Sequence, residues 1–249
     1  MHVQRLPTEQ DVSREVVKEI GQVLAQKPDA VLVLPTGQTP MRIYHDLTDE
    51  CRNGNIDMSR AHIFQLDELL GVAPDDQRSY FAFLRRTLVD QIVRDDSRIH
   101  LLDGSTGNPE AEITQHASKL RELGGADYTL LGLGRNGHVG LNEPPSDMTA
   151  TSTVRQIHMT TRRLLESVFT NGTEPTHALT LGMDDIAASG KIRMVVLGNS
   201  KAVILKTVMT ENPSPQRPAS LLLSLDQMHI TADEAAAALL PEELGQAAT

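Results

Sequence analysis

Short runs of Val, Leu and Ile alternate along the chain with longer stretches whose apolar residues recur every three or four positions. The runs AVLVL (30–34), HIFQL (62–66), RIHLL (98–102), YTLLGLG (128–134), HALTLG (177–182), IRMVVLG (192–198) and MHITA (228–232) are predicted strands. Several are apolar without alternation, the pattern of strands covered on both faces. Between them DVSREVVKEIGQVLAQ (11–26), MRIYHDLTDE (41–50), SYFAFLRRTLVDQIV (79–93) and PEAEITQHASKLRELG (109–124) have helical spacing. The last opens on Pro109 and closes on Gly124-Gly125, the usual start–stop asymmetry of a helix. This alternation predicts an α/β fold: a doubly wound, mostly parallel sheet with right-handed crossovers and helices on both faces. No repeat, low-complexity tract or linker interrupts it, so residues 1–249 are expected to form one domain. ENPSPQRPAS (211–220), with three prolines, is expected to be a surface loop and the most mobile element. The tail after Pro241 is weakly patterned and expected to fray.

Composition narrows the class. The 249 residues are 39% hydrophobic and 22% charged, as in ordinary globular proteins. Twenty-three Lys and Arg against 33 Asp and Glu give a formal charge of −10, which argues against a nucleic-acid or anionic-membrane partner. Trp is absent and aromatics are few, so no base-stacking platform is expected. Local donors can still hold a small anion. One cysteine, Cys51, excludes a disulfide framework and a Cys-based zinc site. With no signal-like N-terminus and no membrane-length apolar run, the protein is expected to be soluble and cytoplasmic.

In an open parallel sheet, ligands bind outside the carboxyl ends of the strands, so polar residues that directly follow a strand are the candidates. LPTGQTPM (34–41) is the first such segment. Thr36 and Thr39 offer hydroxyls, Gly37 permits an unusual backbone, Gln38 lies between them, and Pro40 suits a first helical turn. Free N–H groups at a helix start hold phosphate without net protein charge. A plain turn capped by Thr39 is the competing reading. The pair Asp67-Glu68 follows HIFQL, where a carboxylate acts as general base, metal ligand or cap. The third segment is LGLGRNGHVGLNEPP (131–145). Its Gly132, Gly134 and Gly137 match the dinucleotide fingerprint in spacing, but Pro144 and Pro145 arrive where a helix should run. Ile157 stands where an acidic residue is required, and that reading is rejected. What remains is His138 and Glu143, with Asn136 and Asn142, on a glycine-rich loop that approaches a ligand closely. Imidazole titrates near neutrality, and a neighbouring carboxylate orients it. No metal-ligating motif and no G-x-S-x-G are present. Cys51, beside Arg52, is read as inert, with a reactive surface thiol as the alternative.

Together LPTGQTPM, FQLDELLG, SYFAFLR, LGLGRNGHVGLNEP, HALTLGMDDI, VVLGNSKA and PASLL resemble the glucosamine-6-phosphate deaminase family, within the wider deaminase and 6-phosphogluconolactonase superfamily. The resemblance spans nearly the whole chain and implies a modified Rossmann-like fold. Lactonases typically carry DER where this chain has Asp67-Glu68-Leu69, and they lack the NEP after the histidine, so the deaminase branch is favoured. The resemblance implies that Asp67 moves a proton between carbons 1 and 2 of the open-chain sugar. It implies that His138 opens the ring, held by Glu143, with Asn136 beside them where many deaminases have Asp. Phosphate would be held by the loop Thr36, Gly37, Gln38 and Thr39, and by Lys201. Two departures stand out: Gln38 replaces a small residue, and Ser167 lies about where the family places an Arg, leaving Arg163 or Arg42 as substitutes. The implied chemistry needs no metal or organic cofactor and acts on a sugar phosphate. A monomer or small homo-oligomer is expected. Rival readings are a 6-phosphogluconolactonase, a galactosamine-6-phosphate isomerase–deaminase, and a sugar-phosphate sensor that has lost turnover.

Overall fold

A computed structural model describes residues 3–92, 95–170 and 173–247. Eight parallel strands build the main sheet: β1 (Val3–Leu6), β2 (Val31–Leu34), β3 (His62–Gln65), β5 (Ile99–His100), β6 (Tyr128–Gly132), β9 (Ile192–Val196), β10 (Met228–Asp233) and β11 (Gly245–Ala247). Their spatial order is β11-β1-β10-β9-β6-β2-β3-β5. A second, antiparallel sheet of order β4-β8-β7 is made from β4 (Asp67–Leu69), β7 (Thr153–Gln156) and β8 (His177–Thr180).

The apolar runs are explained by burial on both faces. Along β2, Val31 and Val33 enter one core cluster with Phe64, Leu131 and Met194, while Leu32 and Leu34 enter another with Ile63, Leu130 and Val195. Alternate side chains of a strand point to opposite faces, so a strand between two helical layers has no polar side. Helices α1 (Glu9–Gln26) and α2 (Met41–Arg52) cover the second cluster with Val12, Val16, Ile20, Ile43 and Leu47. On the first face lie α5 (Pro109–Glu122), through Ala117 and Leu120, and α8 (Ala202–Thr210), through Leu205 and Val208. Shorter helices are α3 (Tyr80–Leu84), α4 (Asp90–Ile92), α6 (Met159–Leu165), α7 (Met183–Ala187), α9 (Pro218–Leu221) and α10 (Glu234–Ala237). A π-wound turn, Arg85–Val89, joins α3 to α4. Among the described residues no helix is long and apolar enough to cross a membrane.

Several expectations are corrected. HALTLG does form a strand, but β8 pairs antiparallel with β4 and β7 outside the main sheet. The predicted helix 79–93 contains the π turn, and its last residue, Val93, lies outside the described residues. Pro40 precedes α2 instead of opening it, and no side chain caps that helix, so Thr39 is not the cap. Residues 211–220 are a surface loop only at first: Pro218, Ala219 and Ser220 are buried, and the Ala219 N–H donates to the Gly137 carbonyl at 2.8 Å. Of the segment after Pro241, Glu242–Leu244 form a turn and Gly245–Ala247 form β11, paired with β1, while residues 248–249 lie outside the described residues. The Arg5 guanidinium donates to the Leu240 and Pro241 carbonyls.

Candidate active site

The chain runs from β2 outward to β3 and β5 on one side, and from β6 outward to β9 and β10 on the other. The strand order therefore reverses between β2 and β6, and a crevice opens there beyond the strand ends. The three polar segments singled out in the sequence, with the turn after β9, converge on this crevice. It is a cavity of about 220 Å³, lined by Thr36, Thr39, Asp67, His138 and Lys201 among others.

Asp67 sits where the main sheet hands over to β4. Its side chain is 6% exposed, and among the described residues no protein group donates to its carboxyl oxygens. Burial, followed by the nearby Glu68 charge, pushes its pKa up to about 8. Glu68 faces away from the cavity. It accepts from the Leu69, Tyr80 and Phe81 N–H groups at 2.7–3.0 Å and from Gln65 Nε2 at 3.0 Å. The capping reading of the acidic pair thus belongs to Glu68, which holds the start of α3. Asp67 is left free for chemistry.

The loop after β6 is closed by two backbone bonds, Gly134 N–H to the His138 carbonyl and Gly137 N–H to the Gly134 carbonyl. A Cβ on Gly134 would collide with the His138 ring, and Gly137 has φ +85° with Arg217 packed against it. These are steric demands, not a nucleotide fingerprint. His138 Nδ1 lies 3.2 Å from Glu143 Oε2, and Asn136 Nδ2 donates to the same oxygen at 2.7 Å. Burial raises the Glu143 pKa, but bonds from His138, Thr161 and Asn136 outweigh it and hold the value below its usual level. An ionised carboxylate only accepts, so the Nδ1 proton points at Glu143 and Nε2 is the free nitrogen. Asn142, by contrast, is buried and structural, donating to the Val139 and Leu181 carbonyls.

Lys201 comes from the turn Asn199–Lys201 after β9, and its Nζ donates to the Leu133 carbonyl at 2.6 Å. Burial, then the charge of Arg135, lowers its pKa. Across the cavity, the uncapped N-terminus of α2 follows Thr36 and Thr39, and the buried Tyr44 hydroxyl fixes this loop by donating to the Pro35 carbonyl at 2.6 Å. Gly37 (φ +98°) and Gln38 are exposed and do not line the cavity, although Gly37 allows the loop its turn.

Neither proposed substitute for the missing arginine reaches the cavity. Arg42 pairs with Asp46 and lines a different groove, between α1 and α2. Arg163 is exposed and outside the lining, as is Ser167, whose hydroxyl donates to the Leu164 carbonyl. The sequence reading missed Thr161 and Tyr80, which line the cavity from α6 and α3, and Arg135, one position before Asn136. Position directly after a strand would have found Arg135; nothing local marks the other two. Cys51 is half-buried at the end of α2. Burial and then Asp57 and Glu50 push its thiol up to about 11, so it is not a reactive thiolate.

Fold and site together define an α/β protein with a buried carboxyl, a carboxylate-bonded imidazole and cationic side chains at the switch point of a parallel sheet. The chain belongs to the family described as glucosamine-6-phosphate isomerases/6-phosphogluconolactonase, whose model matches residues 7–231. It is 32% identical over 240 residues to a glucosamine-6-phosphate deaminase of Bacillus pumilus, covering 96% of this chain and 100% of that one. A solved monomeric glucosamine-6-phosphate deaminase superposes with a TM-score of 0.92 at 31% identity, covering 96% and 100%. A 6-phosphogluconolactonase from Trypanosoma cruzi shares the fold, with a TM-score of 0.77 at 17% identity over 95% and 96%.

Proposed function

We propose that this chain isomerises and deaminates glucosamine 6-phosphate to fructose 6-phosphate and ammonia. One observation carries the reading: a buried, unpaired Asp67 carboxyl shares a cavity with a Glu143-oriented His138 and with Lys201. Opening the pyranose requires a proton on the ring oxygen as the bond from that oxygen to carbon 1 breaks, and loss of the carbon 1 hydroxyl proton. His138 Nε2 serves both transfers. Asp67 then removes the proton from carbon 2 and returns it to carbon 1, while one ammonium proton passes to the carbon 1 oxygen, so that carbon 1 becomes a hydroxymethyl group and carbon 2 carries an iminium. Water adds there and ammonia departs. The substrate's ammonium, on carbon 2 beside Asp67, favours the ionised carboxylate and so converts the raised-pKa acid into a base. Lys201, Thr36, Thr39 and the α2 N-terminus hold the phosphate.

A single catalytic domain in the cytoplasm, acting as a monomer or small oligomer, is part of this reading. So is the absence of any organic or metal cofactor requirement. The lactonase reading is weaker, because Asp67-Glu68-Leu69 and Asn142-Glu143-Pro144 depart from that branch. A coupled ammonia assay over hexosamine 6-phosphates tests the proposal. Release from the gluco epimer is expected. Hydrolysis of 6-phosphogluconolactone without ammonia release would replace deaminase with lactonase, and binding without turnover would make the chain a sensor.

The division of labour has its own test. His138→Gln should cripple the cyclic substrate yet spare solvent exchange at carbon 2 of an open-chain analogue. Asp67→Asn should abolish both, by at least ~100-fold. Equal loss on both ligands in His138→Gln would put His138 in the proton-transfer step instead.

A further inference from the structure

We propose that Arg135 is the second cation of the phosphate subsite, closing with Lys201 on a phosphate monoester from the β6 side of the cavity. It is the arginine among the described residues that lines this cavity. Arg162, the remaining arginine of α6, is engaged by Glu174 at 2.8 Å. Arg135 itself has no hydrogen-bond or ion-pair partner among the described residues, and its side chain is exposed. A guanidinium with all five donors free, at the mouth of a site in a protein of charge −10, has the geometry of an oxyanion receptor.

The backbone aims it. The turn 134–138 is pinned by its two internal bonds, by the crowding of Gly134 against His138 and by the Ala219 N–H on the Gly137 carbonyl. Arg135 and Asn136 therefore occupy the tip of a rigid turn, where Asn136 is drawn inward to Glu143. Lys201 Nζ is tied to the Leu133 carbonyl, two residues before Arg135 in the same turn. That bond uses one of three ammonium protons and leaves two for an anion. Burial first, and then the Arg135 charge, lowers the Lys201 pKa, as expected for two cations that line one cavity. An anion between them relieves this repulsion, so the pair is complete only when phosphate is bound.

The assignment rests on the deaminase reading for the sugar but not for the phosphate, and the experiment keeps the two apart. Inorganic phosphate binding to the full chain is measured by calorimetry for wild type, Arg135→Gln and Arg135→Lys, beside steady-state kinetics on glucosamine 6-phosphate. Loss of a bidentate charged contact should weaken phosphate binding by at least ~10-fold in Arg135→Gln, with partial recovery in Arg135→Lys. The kinetic lesion should fall mainly on KM rather than kcat. Arg135 touches no folded partner, so melting temperatures should match the wild type. If Arg135→Gln binds phosphate as tightly as wild type, the assignment is overturned while the proposed function stands. If no hexosamine 6-phosphate is turned over yet phosphate binding falls in Arg135→Gln, the proposed function fails and the assignment stands.

Discussion

Adjacent residues of an extended strand point to opposite sides, and at Asp67 and Glu68 this gives two buried carboxyls different surroundings. Burial raises the pKa of both, but Asp67 has no donor among the described residues and Glu68 has four. Asp67 keeps its proton in the folded protein up to about pH 8, whereas an unfolded Asp releases it near 3.8. Its contribution to stability is therefore full below pH 4 and is lost as pH rises to 8. Asp67→Asn keeps the shape without the buried charge. We expect it to abolish turnover and to raise stability at pH 7 by about 2–4 kcal/mol, the gain shrinking towards pH 4. Urea unfolding of both proteins at several pH values checks this, and a gain independent of pH would refute the raised pKa. Glu68→Gln should do the reverse. It puts an amide donor among the Leu69, Tyr80, Phe81 and Gln65 donors. A loss of roughly 2–3 kcal/mol is expected from unsatisfied buried groups, seen as a lower midpoint with an unchanged denaturant slope.

At the scale of elements, the central strands were plain in the sequence because burial on both faces leaves an uninterrupted apolar run. β2, β6 and β9 are apolar along nearly their whole length, and their ends carry three of the four segments that meet at the site. β4, with the sequence DEL, and β7, with TVRQ, have no such run, since they are short and owe their pairing to β8. Long-range partners are not encoded in local periodicity, which is why HALTLG reads as a strand without showing that it pairs with β4 and β7. The same limit explains the cavity wall. Asp67 and His138 lie on segments that follow strands and are legible from position, Lys201 is legible only through the family resemblance, and Thr161 and Tyr80 arrive on α6 and α3, which nothing local ties to the site. The β6 loop offers a test of an element defined by sterics. Gly134→Ala places a methyl against the His138 ring, which must then leave Glu143. A fold-preserving loss of activity of about 100-fold is expected, as for displacing a catalytic group by about an ångström. Near-wild-type turnover with an intact Nδ1 contact would show that the loop yields instead.

For the whole molecule, the response to acid follows from which buried groups must change charge on unfolding. His116, on α5, is 7% exposed, packs edge-on to Phe64 and donates from Nε2 to the Gln65 carbonyl at 2.9 Å, at the strand end that leads to Asp67. Burial lowers its pKa to about 4, so it stays neutral in the fold where an unfolded His would be charged. Its contribution is full above pH 6.5 and is lost as pH falls towards 4, amounting to about 3 kcal/mol at most. Glu19 of α1 follows at lower pH. It is bonded to Arg193, Lys191 and Tyr128, which offset burial and hold its carboxyl down at about 2, so its share is lost below pH 4.5. Asp67 slopes the other way between pH 4 and 8, which masks the histidine in the wild type. The measurement therefore belongs in the Asp67→Asn background, by urea unfolding from pH 4.5 to 7.5 with and without His116→Gln. With His116 present, stability should fall as the pH drops below 6.5; with Gln there, the slope should flatten while stability at pH 7.5 is little altered. Parallel slopes in the two proteins would mean that His116 takes up its proton without opposing the fold, and the acid response would then rest on the carboxylates and on His100, which burial also lowers to about 4.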